Sequence, residues 1–277
     1  MQIPHFSRTI KLPTVALRGV VAFPGLPTHF EAGRRNSITA LNTAMDNDQL
    51  VFLVTQKDLR TEDPESDDLY EIGCVARIRQ FLKLNDKSIK VLVEGLYRAK
   101  RLSYSRNNSL TICEVKRLDD EYPHHSENYT EAIIRKVKDA FEHYSLLLPG
   151  GLSNDILINA AANDDLSELC DYVASNTNAP YDDRQFILEQ LNPYTRAKML
   201  LKLLTKEASL LKIDSKISEA VKVQIDENQR EYYLKEQIKA INEELYGDSN
   251  DDTDEYIERI NGLSASEAER KAFQRSN

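Results

Sequence analysis

The sequence predicts an α+β protein with a β-rich amino-terminal lobe, a helical bundle after it, and one very long α-helix. Three observations carry this. Apolar residues alternate with polar ones at a period of two within the first 118 residues, and the spacing changes to three and four from about Pro123. The 53 residues from Tyr194 to Tyr246 then contain neither glycine nor proline.

The elements follow in order. Thr14 to Leu17 reads as a first strand, and Val20 to Pro27 as an apolar loop interrupted by Pro24 and Pro27. Ile38, Leu41 and Met45 form one apolar helix face, with Asn36-Ser37 as the capped start. Leu50 to Thr55 is a strand. Cys74, Ala76 and Ile78 alternate with Arg77 and Arg79, and Ile89, Val91 and Val93 alternate with Lys90 and Glu94. Asn85-Asp86-Lys87 has turn chemistry, so these two runs predict a hairpin. Tyr97 to Tyr104 and Leu110 to Leu118 complete the lobe.

Helical spacing then takes over. Tyr129, Ile133, Val137, Phe141, Tyr144 and Leu148 step by three or four until Pro149-Gly150-Gly151 breaks the chain. Leu166, Leu169 and Val173 repeat the pattern after Asp164 and Asp165, as do Phe186, Ile187 and Leu191 after Asp182 and Asp183. Asn192 is placed to cap a helix with Pro193 at its first position, and Gly247 to end it. Such a helix spans ~80 Å at ~1.5 Å per residue, longer than a small bundle covers. Leu234, Ile238, Ile241 and Leu245 give its outer part an apolar seam that needs a partner. The run Asp248 to Glu255 reads as a solvated acidic loop, and the helical pattern beyond it reaches Asn277 without a stop signal, which reads as a truncation. The expected domains are 1–118 (β-rich lobe), 123–192 (helical subdomain), 193–246 (long helix) and 247–277 (acidic loop and the start of a truncated helical segment).

Composition excludes several functions. At 277 residues and 41% hydrophobic content the chain can bury a real core. No apolar run approaches the roughly 20 residues of a membrane span, and the first residues lack a secretory signal, so a cytoplasmic location is expected. The net charge of -9 divides unevenly: residues 1–118 hold 18 Lys+Arg against 13 Asp+Glu, leaving 18 against 32 for the rest. An acidic total disfavours a dedicated nucleic-acid binder, although Tyr97 to Arg106 interleaves basic and aromatic residues as single-strand surfaces do. Three dispersed cysteines, Cys74, Cys113 and Cys170, suit core thiols rather than disulfides or zinc.

No catalytic motif stands out. The chain lacks GxxxxGK[ST], GxGxxG, HExxH and GxSxG, and the pair His124-His125 does not have metal-ligand spacing. No catalytic, cofactor-binding or metal residue is therefore assigned. Val21, Phe23 and Leu26 in the apolar loop are candidate substrate contacts, with half-buried structure as the plainer reading of the same loop. Tyr232, Tyr233, Leu234, Ile238 and Ile241 are candidate helix-packing and assembly contacts.

A family resemblance rests on an ordered series of motifs. Leu12-Pro13-Thr14-Val15-Ala16-Leu17-Arg18-Gly19-Val20-Val21-Ala22-Phe23-Pro24-Gly25 resembles the opening of bacterial Lon proteases, and Gly33-Arg34-Arg35-Asn36-Ser37 follows it. Phe52 to Asp58, Asp68 to Ala76, Lys90 to Gly95 and Gln229 to Ile241 continue the match through nearly the whole chain. Gly19 stands where an acidic residue is common in that family. The resemblance implies a PUA-like lobe, a helical subdomain and a long helix leading towards an ATPase module and a Ser-Lys protease module absent from this sequence. ATP and magnesium belong to that missing ATPase module, with no cofactor in this chain. It further implies a cytoplasmic homohexamer that degrades misfolded and regulatory proteins, with this region contributing recognition of unfolded or damaged proteins and oligomer assembly. The alternatives are a stand-alone Lon-like adaptor for a peptide or small molecule, and a nucleic-acid-binding module.

Overall fold

The computed structural model describes residues 9–85 and 88–246. The central residues of the expected turn, Asp86-Lys87, and the acidic loop and helical segment expected over 247–277 lie outside the described residues. Two compact units divide the chain, Met1–Lys212 and Ile213–Asn277.

In the first unit, six strands form one sheet: β1 (Thr9–Leu17), β2 (Pro27–Ala32), β3 (Leu50–Thr55), β4 (Ile72–Asn85), β5 (Ser88–Asn107) and β6 (Leu110–Arg117). Their order is β2-β5-β4-β3-β1-β6, and β5 pairs with β6 as well, so five of them close into a ring. β5 makes this possible by its length. Its first half holds β2, from Ile89 opposite Ala32 to Glu94 opposite Pro27, and its second half holds β6, from Ala99 opposite Arg117 onward. The two strands expected at Ile89–Val93 and Tyr97–Tyr104 are therefore one continuous strand of 20 residues. β2 was not expected, because its exposed residues hide the alternation.

Helix α1 (Arg35–Met45) packs Ala40, Leu41 and Ala44 into the ring against Val15, Leu53 and Val91. Its N-cap is Arg34, with no side-chain hydrogen bond, rather than the expected Asn36-Ser37. Leu41 is buried, while Ile38 and Met45 pack at the margin.

The helical part contains α2 (Glu127–Leu147), α3 (Asn154–Ala162), α4 (Leu166–Ser175), α5 (Tyr181–Glu189) and the first stretch of α6 (Pro193–Tyr246). Ser126 and Asp165 cap α2 and α4, accepting from Tyr129 N and Glu168 N. Asn192 Oδ1 accepts from Tyr194 N at 3.0 Å and Thr195 N at 3.2 Å, the cap expected for α6. Val137, Phe141, Leu169, Val173, Leu188 and Leu200 fill the core. On α5 the inward residues are Gln185, Ile187 and Leu188, and the expected core residue Phe186 is 52% exposed. α3 escaped the sequence reading because its run Ile156-Leu157-Ile158 has no helical spacing of its own.

In the second unit, Ile213 to Tyr246 belongs to α6, and every side chain described there is exposed. No helix among the described residues is long and apolar enough to cross a membrane.

Candidate functional site

Three apolar features stand in the regions singled out by sequence, or beside them. The first is the Val20–Pro27 loop. Gly25 adopts φ +71, open to glycine at little cost. Its N–H donates to Gly95 O at 2.9 Å, while Gly95 N–H donates to Leu26 O at 3.0 Å. This reciprocal pair ties the loop to β5 and turns its side chains inward. Phe23 is 0% exposed and Val21 5%, both in the helical core, and Leu26 packs against the same core. Of the two readings of this loop, buried structure is the one observed. As free surfaces for substrate, Val21 and Phe23 are ruled out by their packing.

Beside the loop lies a buried ionic junction. Arg98 on β5 donates Nε–H to Leu188 O at 2.9 Å and pairs with Asp171 of α4. Arg196 of α6, 0% exposed, donates to Ser167 Oγ and Asp120 Oδ1, each at 2.6 Å, and its Nη1 lies 3.5 Å from Asp171. Burial pushes the Asp171 carboxyl up, and the Arg98 and Arg196 charges act against that push. Every charge in the cluster has a partner. Its work is to lock β5 to the helices, because an unpaired charge left here would be costly. Burial also pushes the Cys74 and Cys170 thiols up to about 12, which keeps them protonated and poor nucleophiles near neutral pH.

The second apolar feature is the end of β4, where Leu82 is 58% and Leu84 49% exposed. Strict alternation from Cys74, Ala76 and Ile78 would place both inside. A bulge prevents this: Ile78 pairs with Val93 and Gln80 with Leu92, so Arg79 is an extra residue and the faces exchange. Phe81, opposite Val91, then points towards the core, and Leu82, opposite the exposed Lys90, points outward with Leu84. The sequence reading missed this pair. The signal was the apolar run Phe81-Leu82-Lys83-Leu84, which puts apolar residues on both faces of one strand.

The third feature belongs to the second unit. Leu234, Ile238, Ile241 and Leu245 are 51 to 70% exposed. In the same seven-residue register stand Ile213, Ile217 and Ala220, separated from them by Gln224, Glu227 and Glu231. Tyr232 and Tyr233, 65% and 71% exposed, lie off this seam. The other basic and aromatic candidate, Tyr97 to Arg106, is spent internally: Arg98 is buried in the junction, Arg101 bonds to Ser66, and Arg106 pairs with Asp63.

Comparison with known proteins adds a family. Residues 11–206 match the family model described as "ATP-dependent protease La (LON) substrate-binding domain". The chain is 36% identical over 266 residues to Lon protease of Syntrophomonas wolfei, covering 95% of this chain and 32% of that protein. It is 36% identical over 252 residues to Lon protease of Escherichia coli K12, covering 91% and 32%. The chain thus spans about a third of the length of these curated relatives. Among solved structures, the N-terminal domain of Mycobacterium avium complex Lon protease matches 71% of this chain and 98% of that chain, with a TM-score of 0.57 at 16% identity. That last likeness is one of fold.

Proposed function

Because this chain belongs to the family of LON substrate-binding domains, we propose that it captures unfolded protein on the exposed apolar end of β4 and delivers it to an ATP-dependent serine protease. The observation that carries this reading is the outward pair Leu82 and Leu84, about half exposed on a strand whose neighbours Lys83 and Lys90 are also exposed. An isolated exposed leucine is ordinary, but two on one strand face, beside cations, suit an extended apolar segment with acidic flanks. Leu26 remains a secondary contact at the rim of the buried loop.

In this reading the chemistry lies elsewhere. This sequence contains no P-loop, so nucleotide with magnesium and the Ser-Lys cleavage are assigned to other parts of the protease. Assembly is the second role. The seam Leu234, Ile238, Ile241 and Leu245, joined by Tyr232 and Tyr233 at its flank, is read as a helix-pairing surface within a cytoplasmic homohexamer.

One sedimentation experiment tests both roles, using the 277-residue chain with and without unfolded casein. Leu82→Ser with Leu84→Ser should weaken casein binding by about ten-fold or more, since burying a leucine contributes roughly 1.5–3 kcal/mol. Leu234→Asp with Ile238→Asp should lower the mass of the free chain and leave casein affinity alone. Full casein binding by the β4 variant would remove the recognition reading, and unchanged mass in the helix variant would remove the assembly reading.

A further inference from the structure

A cleft of about 340 Å³ opens between β1, β2 and the N-terminus of α1. It marks a gap in the sheet. β1 pairs with β6 only as far as Pro13, so the far edge of Thr14–Leu17 meets no strand among the described residues. Among the described residues β2 pairs only with β5, which leaves its other edge open too. Two unsatisfied strand edges thus face a space at the small end of the ligand-pocket range, roughly 300–1,000 Å³. A short extended chain fits such a gap, adding main-chain hydrogen bonds to either edge.

Two cationic side chains belong to the lining of the cleft. Arg18 and Arg34 line it, and each donates Nη2–H to the same acceptor, Thr61 O, at 3.2 Å. Neither forms an ion pair among the described residues. The Arg34 pKa is lowered by burial first and by the Arg18 charge second, with Asp63 and Glu62 opposing. At the same place α1 begins without a side-chain cap, so the N–H groups of its first turn have no partner within the helix. Ser37 lines the cleft, is 94% buried by its exposure of 6%, and its Oγ makes no hydrogen bond among the described residues. Its hydroxyl reaches the cleft and is free to donate to a ligand there. The walls are apolar, with Val15, Leu17 and Phe30. Glu31 also lines the rim, exposed to solvent and outside any ion pair with the two arginines.

We propose that this cleft binds the free carboxyl terminus of an extended peptide whose last residue is apolar. The carboxylate sits between Arg18, Arg34, Ser37 Oγ and the first turn of α1, the terminal side chain meets Val15 and Phe30, and the preceding backbone runs along the open edges. An anion alone would leave the apolar walls and strand edges unused, and an apolar side chain alone would leave two guanidiniums without a counter-charge. The inference rests on the reading of this region as a substrate binder, and it names a class of substrate end.

The test is fluorescence anisotropy of the 277-residue chain with a labelled decapeptide ending -Ser-Ala-Leu-Val, as the free acid and as its C-terminal amide. The acid should bind about ten-fold or more tighter than the amide, because charge-assisted hydrogen bonds are lost on amidation. Arg18→Gln with Ser37→Ala should erase that preference while melting temperature and casein binding stay unchanged. Arg34 is left intact because it also holds Gln56 at 2.7 Å. Equal binding of acid and amide, or a preference that survives in the double variant, overturns the proposal. So does a free acid ending -Ser-Ala-Gly-Gly that binds as tightly as -Leu-Val, which would reduce the cleft to a simple anion site. If casein still binds the wild-type chain in those cases, the carboxylate site fails alone and the β4 surface stands.

Discussion

The Val20–Pro27 loop and the Phe81–Leu84 end of β4 both concentrate apolar side chains, and the fold treats them in opposite ways. The loop has one proline within it and a second, Pro27, where β2 begins, and no regular structure before that point, yet Phe23 and Val21 are buried. The strand end pairs with β5 from Gln80 to Lys83, with register shifts on either side, yet Leu82 and Leu84 face solvent. Apolar composition therefore does not decide exposure here. Backbone hydrogen bonds decide it: the Gly25 and Gly95 pair pulls the loop inward, and the Arg79 bulge turns the strand end outward.

The largest effect expected from this contrast comes from the buried side. Phe23→Ala removes a side chain with no exposure at the junction of loop and helices, so it should cost about 3–5 kcal/mol of unfolding free energy. Urea denaturation followed by far-UV dichroism measures it. A loss below 1 kcal/mol, on the scale of a surface change, would place Phe23 at a surface and return the loop to the candidate contacts.

Gly95→Ala sharpens the same point at the backbone. An added Cβ would lie 2.0 Å from Phe23 O and 3.0 Å from Cys74 Sγ, far inside contact distance. Either the loop or β5 has to move. The expected cost is about 1–3 kcal/mol, with the hydrogen bonds from Gly25 N–H to Gly95 O and from Gly95 N–H to Leu26 O weakened first and exchange of those two amides accelerated. Protection unchanged at both would show that the loop is held by its side chains and not by the pair.

These effects also mark how far the sequence could be read. Long, strongly periodic segments were legible: α2, α4 and the start of α6 appear with the caps Asp165 and Asn192 that their residues suggest. The β-rich lobe was legible as a class, and Leu50–Thr55 coincides with β3. Less legible were elements decided by pairing at a distance. β2 exists because the first half of β5 offers an edge, and α1 starts at Arg35 because Arg34 rather than Asn36 or Ser37 takes the cap position. The site suffered most. A period of two assigns Leu82 and Leu84 to the core, and the two-for-one register at Arg79, followed by a second shift at Leu84, reverses it. The cleft of Arg18, Arg34 and Ser37 joins residues whose proximity follows from an unfilled gap in a sheet, which no local pattern records. The seam at Leu234, Ile238, Ile241 and Leu245, by contrast, was visible at once because it lies on a single helix.

The smallest expected effect on stability completes the comparison. Leu82→Ser with Leu84→Ser replaces two side chains already 58% and 49% exposed, on a strand held by its backbone ladder to β5. Surface substitutions away from special features usually stay within about 0.5 kcal/mol, so the denaturation midpoint should scarcely move. The chain has no tryptophan and 13 tyrosines, none of them between Tyr70 and Tyr97 in the sequence, so tyrosine fluorescence serves as a probe of the fold away from the substitution along the chain. A midpoint that falls as far as in Phe23→Ala would mean that Leu82 and Leu84 are packed in solution, and loss of casein binding in that variant would then report unfolding rather than a lost contact. An unmoved midpoint together with lost casein binding separates the two roles, leaving the loop as structure and the strand end as surface.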